Sequence, residues 1–336
     1  MAPNNQNYRE NLLIPYCLLF LAAVAAAGTL IYTRVVLLPL LFSVFFFALT
    51  SPAVKFLQNK VAFPRWVAVA TVFFIVCLLS AGFIFVVVAS IEDFVQGADV
   101  YRLRVLNFFE SSLEWASHFG FSVDKRSAIE QLKSLPLFSF LRSLTGGLTS
   151  LFANAFLVLI FLLFLLAGEN KDHQSHPILD EILNKMSHYL VIKSLLSFAT
   201  GFCVGVILIA FDVELAILLG LLTFLLNFVP NVGSLISTIL PLPLVLVEYG
   251  WGGRFFGVLG LSLLVQLVIG NYLEPKLLGE SMDLHPVTIL VFLMFWGLIW
   301  GVAGMFLAVP ITAVLKIILD RFTTTKALAE LLGGRF

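Results

Sequence analysis

The chain has 336 residues, of which 60% belong to the apolar and aromatic set AVILMFWYC and only 12% are charged. Soluble domains carry roughly 25% charged residues, so this composition excludes an ordinary water-soluble protein and indicates that lipid is part of the solvent. The 20 Lys and Arg balance the 20 Asp and Glu, which removes the basic excess that nucleic-acid binding requires. Cys17, Cys77 and Cys203 lie inside apolar runs without CxxC spacing and are interpreted as small buried hydrophobic residues.

Apolar runs of membrane-spanning length recur along the whole chain. A helix needs about 20 such residues to cross a hydrocarbon core of about 30 Å. Eight candidate segments lie at residues 12–33, 35–49, 66–90, 148–167, 194–211, 215–247, 255–269 and 287–315. The first is interpreted as a retained span rather than a signal peptide, because a second apolar run follows it directly. We therefore predict an all-α polytopic membrane protein with about eight hydrophobic segments.

Two of these segments, 215–247 and 287–315, contain no charged residue but are too long for one upright span. The first is interrupted by the stretch from Asn227 to Gly233, and the second has three glycines near its middle. We expect some of these segments to be broken or re-entrant. The sequence leaves open whether they span the membrane or re-enter it.

Lys and Arg in the short loops predict the orientation, because cytoplasmic loops carry an excess of them. The loop after the second segment and the C-terminal tail are rich in Lys and Arg, which places both termini in the cytoplasm. The sizeable polar stretch after the third segment is then extracytoplasmic, and its apolar residues recur at helical spacing. Four regions are predicted: residues 1–91 with the first three transmembrane helices, 92–147 as a small helical extracytoplasmic insertion, 148–320 as a transmembrane region with broken segments, and 321–336 as a cytoplasmic tail.

The first candidate site is the interruption from Asn227 to Gly233. Pro230 removes a backbone donor and Gly233 is expected to loosen the helix further. Broken backbone at membrane depth must be buried in protein or line a watery cavity. Asn227 and Asn231 could then bind an ion or a polar solute. A simple kink, or a tight loop between two short helices, is an equal alternative on these residues alone.

The second candidate site contains Asn271, Glu274 and Lys276, which follow an uncharged run. A carboxylate near the membrane with a neighbouring cation can carry a proton or gate a pathway. Charges at segment ends are ordinary, so the residues alone favour an interfacial loop with two solvated charges.

The third cluster consists of Gly297, Gly301 and Gly304, which fall near one face of a continuous helix and include a GxxxG pattern. Small residues at this spacing let helices approach closely, so a packing role is predicted.

His173 and His176 stand beside Asp172 as a possible metal pair, but a solvated loop is the favoured interpretation. No metal or cofactor is expected. The sequence has no GxGxxG, Walker A or GxSxG motif, so we predict a transporter rather than an enzyme.

Several motifs in the last third of the chain resemble the AI-2E (autoinducer-2 exporter, PerM-like) family of bacterial membrane proteins. They are the stretches 227–233, 271–279, 284–286, 295–305, 308–310 and 328–333, together with Lys316. The first two thirds match by layout, with three spans, a helical insertion and then the remaining spans. The resemblance implies transport: members are described as exporters of autoinducer-2, a small polar furanone-type molecule, or as sodium or lithium/proton antiporters.

The leading expectation is therefore a multi-pass protein of the bacterial cytoplasmic membrane that exports a small polar signal such as autoinducer-2, with possible proton coupling. A monovalent cation/proton antiporter and a non-transporting membrane scaffold are the alternatives. Glu274 is expected to be the coupling or gating carboxylate, with Lys276 as the nearby charge that sets its proton affinity. Its competitors, Asp212, Glu214 and Glu248, resemble interface residues. We also expect a homo-oligomer, because the glycine face and the small insertion suit contacts between copies.

Overall fold

The structure, a computed structural model, describes residues 17–18, 21–22, 24–97, 103–104, 137–168, 177–278 and 283–334. All regular elements within these ranges are helical, which confirms the predicted all-α fold. In chain order they are α1 (Arg34–Lys60), α2 (Arg65–Gln96), α3 (Leu137–Gly168), α4 (Pro177–Ala210), α5 (Ala216–Leu226), α6 (Val232–Ile239), α7 (Leu242–Tyr249), α8 (Gly253–Val265), the π-helix π1 (Gln266–Leu273), α9 (Glu274–Leu278), α10 (Pro286–Trp300), α11 (Val302–Asp320) and α12 (Lys326–Leu332). Most of the predicted insertion, and the pair His173 and His176, lie outside the described residues.

Six helices in the described part of the chain are long and apolar enough to cross a membrane. They are Arg34–Lys60, Arg65–Glu92, Ile178–Ala210, Val232–Tyr249, Gly253–Leu278 and Val302–Asp320. Phe74, Leu79 and Phe85 on α2 are among many large apolar side chains that are exposed on the protein surface. Such a surface is solvated by lipid and not by water. The chain is therefore a multi-pass membrane protein.

The chain divides into two compact units, one formed by residues 45–283 and the other by residues 1–44 with 284–336. The larger unit has two apolar cores. One is formed by side chains of α4, α5, α7 and α8, with Val204, Leu208, Val245 and Val258 at its centre. The other joins α1, α2 and α3. The first of these cores holds α4 and α5, which carry or flank part of the candidate site.

The helices α4 and α5 approach each other closely within the larger unit. A Cβ on Gly201 would lie 2.7 Å from the carbonyl oxygen of Gly220, and one on Gly220 would lie 3.0 Å from Cα of Gly205. Because these contacts are made by backbone atoms, the two helices can pack at this distance only with glycine at the contact.

The two long uncharged segments are both broken, as predicted. The first forms α5, α6 and α7, with a break at residues 227–231, whereas α6 and α7 continue through helical backbone angles at Leu240 and Pro241 as one apolar span. The 11 residues of α5 rise about 16 Å, so α5 alone is shorter than the hydrocarbon core of about 30 Å. The second segment is divided into α10 and α11 at Gly301.

The turn at Gly301 corrects the expectation of one continuous glycine face. Gly301 has φ 63° and ψ −143°, so the backbone leaves the helical conformation there. A Cβ on Gly297 would lie 2.8 Å from Met305 Cε, and one on Gly304 would lie 2.0 Å from the carbonyl oxygen of Trp296. Gly297 and Gly304 therefore let α10 and α11 of this chain pack together beside the turn.

We expect Gly301→Ala to lower the free energy of unfolding by about 1–3 kcal/mol, because an L-residue is strained at this positive φ. Thermal unfolding of the purified variant in detergent measures the effect. The matched control is Gly260→Ala in α8, where a Cβ meets nothing within 4 Å in the described structure. Equal stability of the two variants would show that the turn tolerates a side chain.

Candidate functional site

A polar pocket lies at the break between α5 and α6, in the larger unit. Its volume is about 70 Å³. The lining consists of Lys193, Asn227, Val229, Pro230, Asn231, Ser234, Gly270, Asn271 and Glu274. The structure thus brings five of the seven predicted pathway residues together: Asn227, Pro230, Asn231, Asn271 and Glu274. Three parts of the sequence therefore contribute to a single site: Lys193, the stretch 227–234 and the stretch 270–274.

The break is a set of hydrogen-bonded turns. The N–H groups of Phe228 and Val229 donate to the carbonyls of Leu225 and Leu226 at 3.2 and 2.8 Å. Asn231 then takes φ 58° and ψ −50°, and the N–H of Val232 donates to the Pro230 carbonyl at 2.6 Å, which is the geometry of a strained γ-turn. The ring of Phe228 is buried and anchors the turn in the core. The interruption is therefore a fixed part of the fold.

Asn227 connects the break to α4. Its side chain is 3% exposed, and its Nδ2 donates to Ser197 Oγ at 3.1 Å. A buried amide needs hydrogen-bond partners, because leaving it unpaired costs about 1–3 kcal/mol. Ser197 supplies one of these partners from the neighbouring helix.

The charged centre of the pocket is an ion pair between Lys193 and Glu274. The Lys193 Nζ donates to Glu274 Oε1. Lys193 lies on α4 and is 2% exposed, whereas the Glu274 side chain, at the start of α9, is 21% exposed. A charge in an apolar interior is tolerated when it is paired and hydrogen-bonded. The pair fastens α4 to the short helix that follows π1.

Lys193 is absent from the sequence-based site, because the predicted fifth apolar segment begins at the next residue, Ser194. The lysine does carry a signal in the sequence. It stands between Leu190 and Leu195 in a long apolar helix, and an ionisable residue inside such a helix is a functional-site candidate by default.

Lys276 lies outside the pocket, contrary to its predicted place beside Glu274. It is exposed, and its Nζ lies 5.5 Å from the ring centroid of Tyr272. Residues two apart on a helix do not face each other. The cation that contacts Glu274 is therefore Lys193.

Gly233 lies beside the pocket. The sequence suggests that it loosens a helix, but in the structure it does not. It lies in the first turn of α6 and its N–H donates to the Val229 carbonyl at 2.9 Å. A Cβ at this position would lie 1.7 Å from the Leu226 carbonyl oxygen. The glycine is needed because the ends of α5 and α6 meet there.

A second charged cluster lies where α4 ends. Arg104 Nη1 is 3.1 Å from Glu214 Oε1 and 3.6 Å from Glu248 Oε1. Asp212 and Glu214 have exposed side chains, as expected of interface residues, whereas the Glu248 side chain is 3% exposed. The 17 residues of α4 between Lys193 and Ala210 rise about 26 Å. The polar pocket and this cluster are therefore separated by nearly the thickness of a hydrocarbon core.

A metal centre is not evident within the described residues, where no three His, Cys, Asp or Glu side chains come together. The pocket instead combines one carboxylate, one ammonium and three amides, which supply both hydrogen-bond donors and acceptors. Such a set can bind a small polar solute or a hydrated cation.

Comparison with known proteins identifies the family. The sequence model described as "AI-2E family transporter" matches residues 17–324. A Haemophilus influenzae protein named "Putative transport protein" is 28% identical over 98% of both chains. The "AI-2 transport protein TqsA" of Escherichia coli is 27% identical over 89% of each chain, and "Putative transport protein YhhT" of the same species is 28% identical over 89% of this chain and 88% of its own. This chain therefore belongs to the AI-2E family and is a multi-pass membrane transporter.

Proposed function

We propose that this transporter moves a small polar solute through the pocket at the α5–α6 break, and that the Lys193–Glu274 ion pair is its closed gate. The observation that carries the proposal is a buried lysine paired with a carboxylate in the wall of a polar pocket. A buried ion pair adds little net stability, because desolvation offsets much of its attraction, and ionisable residues within membrane-spanning helices commonly mark solute or ion pathways.

The gate works by exchange of partners. While Lys193 and Glu274 are paired, they hold α4 against π1 and α9. A solute that offers hydrogen bonds to either group weakens the pair and allows these elements to separate. Asn227, Asn231 and Asn271 supply uncharged donors and acceptors, which suit a neutral polar solute.

Autoinducer-2 is the first solute to test, because the related Escherichia coli protein is named an AI-2 transport protein. The pocket measures about 70 Å³, whereas small-molecule sites usually measure about 300–1,000 Å³. We infer that the described conformation is closed and that the solute enters after the gate opens. Export from the bacterial cytoplasm, with both termini on the cytoplasmic side, is part of the proposal.

Exchange of a monovalent cation for a proton is the second candidate. The small pocket volume and the lysine-bound carboxylate favour it, because an ion of single positive charge can replace the Lys193 ammonium at Glu274. Lys193 would then release one proton as Na⁺ or Li⁺ binds, so that the charge of the site is unchanged.

We expect the purified protein in liposomes to move autoinducer-2 at the same rate with and without sodium. Proton movement that requires sodium, without transport of autoinducer-2, would favour the cation exchanger. If neither the solute nor the cations cross faster than in protein-free liposomes, the transport function fails, and the scaffold alternative, in which the insertion captures a partner, replaces it.

Homo-oligomer formation stays a prediction. Gly297 and Gly304 no longer support it, because they pack against residues of their own chain. Its support is now the exposed apolar surface of the helices. Mass measurement in native-like lipid tests it, and a monomer alone would contradict it.

A further inference from the structure

A glutamine lies behind the wall of the polar pocket, at the start of π1. Gln266 is 9% exposed. Its Nε2 donates to Ser237 Oγ at 2.9 Å and to the Ser234 carbonyl oxygen at 3.2 Å. Ser234 is itself part of the pocket lining. The side chain therefore connects π1 to α6 directly beneath the pocket.

The orientation of this amide is fixed by its neighbours. The Ser237 hydroxyl donates to the Ser234 carbonyl at 3.0 Å, so its oxygen is left to accept. Gln266 must then present its NH₂ group to Ser237, and its Oε1 faces away from both serines. This buried oxygen has no hydrogen-bond donor among the described residues. A buried acceptor without a donor is costly, so a donor from outside the protein is expected to complete it.

Gly270 lies next to this buried oxygen, on the side of the pocket. It lines the pocket, and a Cβ on it would lie 3.0 Å from Gln266 Oε1. The oxygen is buried in the described conformation, and at Gly270 no side chain separates it from the pocket. Gln266 and Gly270 both belong to the π-helix, a helical form that is frequent at functional sites.

We propose that Gln266 is a selectivity-determining residue, whose Oε1 accepts a hydrogen bond from a hydroxyl group of a neutral solute that reaches past Gly270. This inference rests on the proposed transport of a polar solute by the same pocket. One acceptor oxygen satisfies a hydroxyl with a single hydrogen bond, but it cannot replace the hydration shell of a bare ion. Gln266 therefore favours hydroxylated neutral solutes over alkali cations.

Two variants test the proposal in proteoliposomes loaded with autoinducer-2, ribose or erythritol. Gly270→Ala places a methyl group 3.0 Å from Oε1 and leaves the amide of Gln266 in the protein, whereas Gln266→Met removes the acceptor at similar volume. For a carried solute, we expect each variant to raise the half-saturation concentration about tenfold, which is the loss of about one hydrogen bond. In the wild type, the half-saturation concentration of a monodeoxy analogue should exceed that of the solute itself. The ratio of the two concentrations should fall towards one in both variants. Gly260→Ala is the control and should behave as the wild type.

The outcomes separate the two proposals. Suppose that the wild type carries one of the three solutes and that Gly270→Ala retains its half-saturation concentration and selectivity. Gln266 then does not bind the solute, whereas the proposal that the pocket transports it stands. An equal loss in Gly260→Ala would likewise overturn the role of Gln266. If the wild type carries none of the three solutes, the proposed function and this inference both fail. Because the new methyl group of Gly270→Ala contacts only the end of the flexible Gln266 side chain, this variant is expected to fold, and the test does not depend on the folding of Gln266→Met.

Discussion

We expect Glu274→Gln to abolish transport and to lower the free energy of unfolding by about 3–5 kcal/mol, because it leaves a buried ammonium without its counter-charge. Lys193 is 2% exposed, so its charge gains almost nothing from water when the carboxylate is removed. The amide of Gln keeps the shape and one acceptor oxygen but neither the charge nor the titration of the carboxyl group. Transport in liposomes and thermal unfolding in detergent measure the two effects.

Removal of the other partner of the ion pair, Lys193, is expected to cost less stability. Lys193→Met replaces the buried ammonium with an apolar group of similar length and leaves Glu274, which is 21% exposed. A carboxylate with that exposure keeps part of its hydration, so the penalty for losing its partner is smaller. Transport should nevertheless be lost, because the gate no longer has two charges to separate.

The double variant distinguishes a gate from a purely structural pair. Lys193→Met combined with Glu274→Gln contains no unpaired charge, so its stability should return to near the wild-type value. If transport returns with stability, the pair only holds the fold together and the gating proposal is wrong. A stable double variant that does not transport supports it. Lys276→Met is the matched control, because this lysine is exposed and lies outside the pocket.

The helical fold follows from composition and length. Uncharged runs of about 20 residues have few alternatives to helices in lipid, because each backbone group must be satisfied within the segment. The break before Val232 can also be predicted from the sequence, since Pro230 cannot donate a hydrogen bond. The turn at Gly301 was harder to place, because glycines at a spacing of three or four indicate either a packing face or a turn. Their roles depend on the backbone angles of one residue.

Local sequence patterns could not predict the ion pair. Glu274 was paired with Lys276 because they are neighbours in sequence, whereas its partner Lys193 is 81 residues away. Such a contact is set by the packing of α4 against π1 and α9, which spacing along the chain does not encode. Gln266 was missed for a related reason. A single amide in an apolar segment attracts attention only when its unpaired oxygen and the neighbouring gap at Gly270 are seen together.

The other large effect is expected for Gly233→Ala. A Cβ on Gly233 would lie 1.7 Å from the Leu226 carbonyl oxygen and 2.6 Å from its carbonyl carbon. Both atoms belong to the backbone, so no change of side-chain rotamer relieves the contact. The turn from Asn227 to Asn231 must open instead, and this displaces two amides of the pocket.

We expect this variant to lose at least about 3 kcal/mol of folding free energy, at the upper end for overpacked sites. It should also lose transport at temperatures where it remains folded. Alanine at three glycines gives a graded comparison. Gly260 has open space around its Cβ position in the described structure, the nearest atom at Gly205 is 3.7 Å away, and the nearest at Gly233 is 1.7 Å away. Thermal unfolding temperatures should fall in that order. If Gly233→Ala unfolds at the same temperature as Gly260→Ala and transports normally, the ends of α5 and α6 do not meet as described. The rigid turn proposed to hold Asn227 and Asn231 in the pocket would then be wrong.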